Sequence, residues 1–174
     1  MSALLTLLLV WALAALAQTA AWAWQKARSN AGIVDVVWAA CVGASAVVAA
    51  VTGSGETLPR VLLAVFGGLW GLRLSTHLWR RVRGEHEDGR YAALRERWHG
   101  SQRKFFAFFQ FQALLVPLFA LPYVAVSHSG DGAWWPWNGL GVAIWLFAVG
   151  GESLADRQLA RFRADPANRG RTCR

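Results

Sequence analysis

Ionisable side chains occur inside or at the edges of long apolar runs of this sequence. They are Asp35, Arg73, His77, Glu152 and Asp156. A charge near the centre of a bilayer costs roughly 3 kcal/mol by insertion scales, so such a residue usually faces protein and has a partner. Arg73 and His77 are four residues apart and share one helix face, and Asp35 is the nearest candidate counter-ion for that face. We expect these three charges either to clamp two helices together or to serve a function.

A second candidate set is the segment Glu87-Asp88-Gly89-Arg90-Tyr91, which lies between two apolar runs. Four acids are interleaved with the arginines between residues 80 and 98, which membrane topology alone does not require. Gly84 and Gly89 allow tight turns and close approach of a ligand. The arginines suit a phosphate, although the sequence has no Walker or dinucleotide glycine motif. Two interpretations stay open, a ligand-binding segment and a solvated loop that touches anionic headgroups.

The third candidate set lies near the C-terminal end, where the periodicity of residues 150–163 predicts a helix. Glu152, Asp156 and Arg163 fall on one stripe of that helix, at spacings of four and seven residues. They form either local ion pairs at the membrane interface or a ligand site. Since no His or Cys stands at metal-ligand spacing near these sets, we expect no metal site. Cys41 and Cys173 do not form a disulfide or metal framework.

Composition indicates which elements must carry these residues. The 174 residues are 55% hydrophobic with mean hydropathy +0.30, whereas soluble domains are usually about 45–50% apolar. Eleven Trp and nine Phe against two Tyr favour lipid-facing helices with indole anchors at headgroup depth. These values exclude a disordered chain and a soluble Rossmann or sandwich fold.

Five apolar runs approach the roughly 20 residues that a helix needs to cross a bilayer. The sequence therefore predicts an all-α polytopic membrane protein, with residues 1–174 forming a single transmembrane domain. Pro117 and Pro122 lie inside the fourth span, which is tolerable in lipid where neighbouring helices satisfy the freed carbonyls. The predicted spans are residues 3–24, 33–51, 60–79, 105–126 and 139–154.

The basic residues predict the orientation of these spans. Lys26 and Arg28 precede span two, eight cations lie between spans three and four, and six arginines follow the last span. The opposite side has only Arg60, so the positive-inside rule places the N-terminus outside and the C-terminus in the cytoplasm. This distribution explains the net charge of +8 more economically than nucleic-acid binding does. We expect the first span to stay uncleaved, since no Lys or Arg precedes it.

The order of several short motifs along the chain resembles that of a known family. The motifs are Asp35-x-x-Trp38, Trp70-Gly71-x-Arg73-Leu74-x-x-His77-Leu78-x-x-Arg81, Glu87-Asp88-x-Arg90-Tyr91 and Glu152-x-x-x-Asp156-x-Gln158-Leu159. Between roughly Ser29 and Asn168 the chain resembles the bacterial membrane proteins of domain of unknown function 1295. That family is placed in the steroid 5-alpha-reductase-like superfamily.

The resemblance implies a seven-helix inner-membrane reductase in which NADPH delivers hydride to the carbon–carbon double bond of a conjugated enone. In that superfamily an acid and a tyrosine polarise the enone carbonyl, and the matching candidates here are Glu87 and Tyr91. Asp156, Arg163 and Glu152 match the stretch that contacts the nucleotide and are the cofactor-binding candidates. The implied substrate is a lipid-like or steroid-like enone. Oligomeric state is not predicted.

The C-terminal end departs from the family pattern. Family members continue with an Arg-His-Pro-Asn-Tyr type segment and two further helices, whereas this sequence stops at Arg174. We therefore expect the N-terminal part of the fold, truncated at its C-terminus, with an incomplete NADPH site. Two alternatives remain open: a protein related to membrane methyltransferases, and a non-enzymatic lipid-binding or scaffold protein.

Overall fold

The computed structural model describes residues 1–130, 135–168 and 171–173, and these residues are helical with no strand. The predicted all-α fold is confirmed. The helices are α1 (Ala3–Arg28), α2 (Ile33–Thr52), α3 (Thr57–Gly84), α4 (Gly89–Arg97), α5 (Gln102–His128) and α6 (Trp135–Ala164), followed by a short 3-10 turn at Pro166–Asn168.

Five of these helices, all except α4, are long and apolar enough to cross a membrane. The protein is therefore a multi-pass membrane protein. Each helix extends beyond its predicted apolar span, because polar residues at the helix ends continue the backbone hydrogen bonding into the headgroup region. The helix α5 runs through Pro117 and Pro122 without interruption, as expected.

The chain divides into two compact units, Met1–Gly132 and Ala133–Arg174. Within the first unit, α2 is the central helix, with half of its apolar stretch buried. It packs along α3 on one side and against α1 and α5 on the others. Its buried residues are mostly Ala, Val and Gly, which allow close approach of neighbouring helices in a membrane.

Glycines bring α2 and α3 into backbone contact. A Cβ atom added to Gly43 would lie 2.6 Å from the Cα atom of Gly71, and one added to Gly67 would lie 2.4 Å from the Cβ atom of Ala46. Because only glycine leaves room for this approach, the pair of helices is fixed in register.

The two ends of the first unit differ in chemistry. At one end, the amino group of Met1 donates to the Thr52 carbonyl at 3.0 Å, and the Gly55 amide donates to the Ser127 carbonyl at 2.9 Å. At the other end lie the connections α1–α2 and α3–α5, which together with the adjoining ends of α1, α3 and α5 carry most of the cations of this unit. The predicted grouping of these two basic segments at one end is therefore confirmed for the first unit. We name this end the charged end.

The second unit is built around α6, a helix of 30 residues. It includes Glu152, Asp156 and Arg163 in one uninterrupted helix, which confirms the helix predicted for residues 150–163. The turn that follows is closed by the Asn168 side-chain amide, which donates to the Phe162 carbonyl at 3.0 Å. Residues 131–134, 169, 170 and 174 lie outside the described residues.

Candidate functional site

A short helix at the charged end, α4, positions the candidate site. The apolar pattern predicts a connecting segment over residues 80–104, but α3 continues to Gly84 and α4 begins after four intervening residues, at Gly89. Asp88 caps α4 by accepting a hydrogen bond from the Arg90 amide at 3.0 Å. Tyr91, Leu94 and Trp98, spaced at helical intervals, pack against the core of the bundle. Their burial fixes α4 against the membrane-spanning helices.

Tyr91 connects α4 to α2. Its side chain is only 5% exposed, and its hydroxyl donates to Oδ1 of Asp35 at 2.7 Å. The Arg90 guanidinium approaches the other carboxylate oxygen of Asp35 at 3.5 Å and also binds Asp88 at 3.1 Å. The acid and the tyrosine are thus held in direct contact, with a guanidinium on the solvent side.

Glu87 forms a separate network on the same segment. Its carboxylate accepts hydrogen bonds from the Ala31 amide and from the Arg95 guanidinium, both at 2.7 Å. Arg95 also donates to the Gln25 side chain at 3.3 Å, and Gln25 donates to Gln102 at 2.8 Å. The carboxylate lies just before α2, where the positive end of the helix dipole favours an anion. The network therefore ties α1, α2, α4 and α5 together.

These contacts shift the ionisation of the groups in the connection. Burial alone raises the pKa of Glu87, but the hydrogen bonds from Arg95 and Ala31 and the charge of Arg95 outweigh it and hold the pKa below its ordinary value. The hydrogen bonds from Arg90 likewise lower the pKa of Asp88. Burial and the adjacent Asp35 carboxylate raise the pKa of the Tyr91 hydroxyl, so this hydroxyl keeps its proton at neutral pH.

A small cavity of about 40 Å³ lies beside the acid–tyrosine pair. It holds little more than a water molecule. Its lining includes the cationic side chains Arg81 and Arg90 together with His86 and the Asp35 carboxylate. Its full lining is Asn30, Gly32, Asp35, Leu78, Arg81, Val82, His86, Asp88, Arg90 and Tyr91. The cavity can supply hydrogen-bond donors to one oxygen atom, and a larger ligand has to extend beyond it.

The structure brings together only some of the residues predicted from sequence. Asp35 and Tyr91 are in contact, while Glu87 binds Arg95 and Ala31 instead of the tyrosine. Arg73 and His77 lie on α3, and Glu152, Asp156 and Arg163 lie on α6. The partners that the structure gives for Asp35 are Tyr91 and Arg90.

Arg95 and Gln25 are members of the network that the sequence patterns do not single out. The sequence presents Arg95 as one of several cations between spans three and four, suited to the orientation rule or to a phosphate. Its spacing of four from Tyr91 places the two on one side of a helix, and this is the sequence feature that indicates a common contact surface. Gln25 gave no such indication, because its partners are 70 and 77 residues away in the chain.

The second unit has a basic cavity of its own. It measures about 480 Å³ and is lined by Arg163, Asp165 and Arg171 together with Pro166 and Asn168 of the following turn. Its two arginines outnumber its one aspartate, and the excess positive charge favours a phosphate. Glu152 lies 11 residues before Arg163 on α6, which corresponds to about 16 Å along the helix axis.

Comparison with known proteins identifies the family. The model of a family described as "Protein of unknown function (DUF1295)" matches residues 21–174, and the chain belongs to this family. No curated protein and no solved structure matches the chain. Among the described residues, no group of three or more His, Cys, Asp or Glu side chains is placed to hold a metal ion.

Proposed function

We propose that this protein is an integral-membrane reductase of conjugated enones that uses NADPH, with Asp35 and Tyr91 polarising the substrate carbonyl. The observation that carries the proposal is the 2.7 Å hydrogen bond between the two side chains beside a cavity that is lined with cationic groups. This pair replaces the pair Glu87 and Tyr91 that the family resemblance indicates, because Glu87 is engaged by Arg95.

The chemistry of the pair follows from its protons. When the two side chains hold one proton between them, the Tyr91 hydroxyl donates its hydrogen bond to the Asp35 carboxylate and cannot donate to a substrate. A second proton on the pair leaves one O–H group free to donate to a carbonyl oxygen. Arg90 lies within 3.5 Å of the same carboxylate and adds an N–H donor. Negative charge that develops on the oxygen as hydride adds to the β-carbon is then stabilised by fixed donors.

The charged residues in and after α6 include cations that suit the phosphates of a dinucleotide and carboxylates that suit its hydroxyl and amide groups. NADPH would supply the hydride when bound. Arg163, beside Arg171, would hold a phosphate group, because both guanidinium groups line one cavity. The carboxylates of Glu152 and Asp156 would accept hydrogen bonds from ribose hydroxyl or amide groups, since carboxylates repel phosphate. These assignments concern the residues of the second unit alone.

The charge distribution supports a location and an orientation. The basic connections of the first unit lie at one end of the bundle, and Arg60 lies near the other end, where it donates to the Ala50 carbonyl at 2.6 Å. The positive-inside rule then places the charged end in the cytoplasm and the N-terminus outside, in a bacterial inner membrane. NADPH would reach the protein from the cytoplasmic side.

The test measures NADPH binding and NADPH consumption by the purified protein in lipid nanodiscs. A panel of isoprenoid and steroid enones serves as candidate substrates. We expect Tyr91→Phe and Asp35→Asn to lower NADPH consumption at least about 100-fold with binding retained. Arg163→Gln weakens NADPH binding. The matched control Tyr123→Phe changes the other tyrosine of the chain, on α5, and leaves consumption unaltered.

The same preparation tests the alternatives. Binding of S-adenosylmethionine in place of NADPH would overturn the proposal in favour of a methyltransferase-related protein. Binding of neither nucleotide by a folded chain would also overturn it, in favour of a lipid-binding or scaffold protein. Equal loss of activity in Tyr123→Phe and Tyr91→Phe would show that the acid–tyrosine pair has no special role.

A further inference from the structure

An apolar groove runs along the membrane face of the first unit, and its lining begins at Val36, the residue that follows Asp35 on α2. Its larger part has a volume of about 500 Å³ and lies on α2, with walls from α1 and α3. A smaller cavity of about 40 Å³ between α1 and α2 shares Cys41 and Ala44 with it. The larger part is lined by Ala17, Val36, Val37, Ala40, Cys41, Ala44, Ser75, Thr76 and Trp79.

The length of the groove matches one leaflet of a bilayer. Its lining extends along α2 from Val36 to Val48, which is about 18 Å at the rise of an α-helix. One leaflet contributes about half of the roughly 30 Å hydrocarbon core. The larger part begins near the charged end and ends at Ala44, close to the midpoint of α2, and the smaller part continues to Val48. The larger part therefore extends along about one leaflet's share of α2 and can accommodate part of one lipid chain.

The dimensions of the groove suit an aliphatic chain. The larger part extends along α2 from Val36 to Ala44, about 12 Å, and has a volume of about 500 Å³. An aliphatic chain can enter a groove of this size. The small side chains of Ala40 and Ala44 keep its floor open.

The mouth of the groove is suited to a negatively charged headgroup. Trp24 of α1 and Trp79 of α3 meet there with their ring centres 5.9 Å apart, at the depth that indoles prefer. The Arg83 guanidinium lies over the Trp79 ring at 5.7 Å and is exposed. A cation just beyond the indole level is placed to meet a lipid phosphate.

We propose that this groove binds one acyl chain of an anionic phospholipid from the leaflet at the charged end, with Arg83 contacting the headgroup. The occupant is a structural lipid, and its binding is independent of the proposed reductase activity. A larger side chain at position 44 blocks entry of the acyl chain. Neutralisation of Arg83 removes the preference for anionic headgroups.

The test is native mass spectrometry of the detergent-purified chain after exchange with phosphatidylglycerol or phosphatidylcholine of identical acyl chains. We expect one retained lipid per chain, with phosphatidylglycerol preferred about fivefold, since a surface cation contributes about 1 kcal/mol. Ala44→Phe should lower retention at least about tenfold because it fills the floor of the groove. Arg83→Gln should abolish the preference while retention of phosphatidylcholine is unchanged.

Matched controls are Ala12→Phe on the exposed face of α1 and Arg103→Gln at the charged end, neither of which lines the groove. Both should behave as the unmodified chain. Retention that Ala44→Phe leaves intact would overturn the proposal. So would a dimer that retains no lipid and dissociates in Ala44→Phe, because the occupant would then be a second copy.

A second measurement holds even where Ala44→Phe does not fold. In Cys173→Ser, Cys41 is the single cysteine, and it lines both parts of the groove. Phosphatidylglycerol should slow its alkylation by N-ethylmaleimide several-fold more than phosphatidylcholine does. Equal alkylation rates in both lipids would contradict a bound anionic lipid.

Discussion

The hydroxyl of Tyr91 lies 2.7 Å from Oδ1 of Asp35, although 56 residues separate the two in the chain. The contact joins a buried side chain of α4 to the first turn of α2. The contact places an acid and a tyrosine side by side at the charged end of the bundle. It also fixes α4 against the core formed by the membrane-spanning helices.

A double-mutant cycle measures this contact. Tyr91→Phe and Asp35→Asn each remove one partner, and the combined variant should be less destabilised than the two single changes added together. We expect a coupling energy of about 1–3 kcal/mol in the free energy of unfolding, the range for hydrogen bonds to charged groups. Reversible unfolding in mixed micelles gives the three values. Additivity would show that the contact contributes nothing to stability.

The Glu87–Arg95 pair predicts a stability change at acid pH. The pKa of the Glu87 carboxyl group in the folded protein lies below the ordinary value of 4.5. The stabilisation is therefore fully present above pH 4.5 and is lost as the pH falls through the pKa of the folded protein. In Glu87→Gln that loss disappears, and stability at neutral pH is lower. Thermal unfolding measured between about pH 3 and pH 7, in steps of about one unit, tests both effects.

The control for this prediction is Glu96→Gln, which neutralises an exposed carboxylate of the same helix α4. It should keep the acid-induced loss. If Glu87→Gln retains the full loss of stability below pH 4.5, another carboxylate is responsible.

The contact between α2 and α3 predicts that Gly43→Ala is destabilising by about 1–3 kcal/mol. The added Cβ would lie 2.6 Å from the backbone of Gly71, so the helices have to separate. Gly68→Ala is the matched control, because its Cβ meets only a Val47 methyl group at 3.4 Å. Alanine favours helix there, so Gly68→Ala should be neutral or stabilising. Equal destabilisation of both variants would refute the close-packing argument.

The proposed orientation is tested by cysteine accessibility in whole cells. In a Cys41→Ser, Cys173→Ser background, Gly84→Cys at the charged end should resist a membrane-impermeant maleimide until cells are lysed. Ser54→Cys, in the α2–α3 connection at the other end, should react in intact cells. The positive-inside rule is the physical reason. The reverse pattern would place the charged end outside.

The helices and their membrane character follow from local features of the amino-acid sequence. Apolar runs of nearly 20 residues have only one low-energy solution in lipid, since every backbone polar group must be satisfied within the segment. Local sequence patterns therefore predict the five spans and the continuous helix across Pro117 and Pro122. They also predict that the basic connections of the first unit lie at one end.

Which side chains of the charged end meet depends on the packing of the helices. The motif order pairs Glu87 with Tyr91 in function, and Asp35 is expected from sequence to pair with α3, a pairing that stays a prediction. In the structure, Tyr91 contacts Asp35 and Glu87 contacts Arg95. The burial of one face of α4 against the bundle sets the direction of the side chains on this helix. Contacts over 56 residues depend on helix packing and register, which no local pattern in the chain specifies.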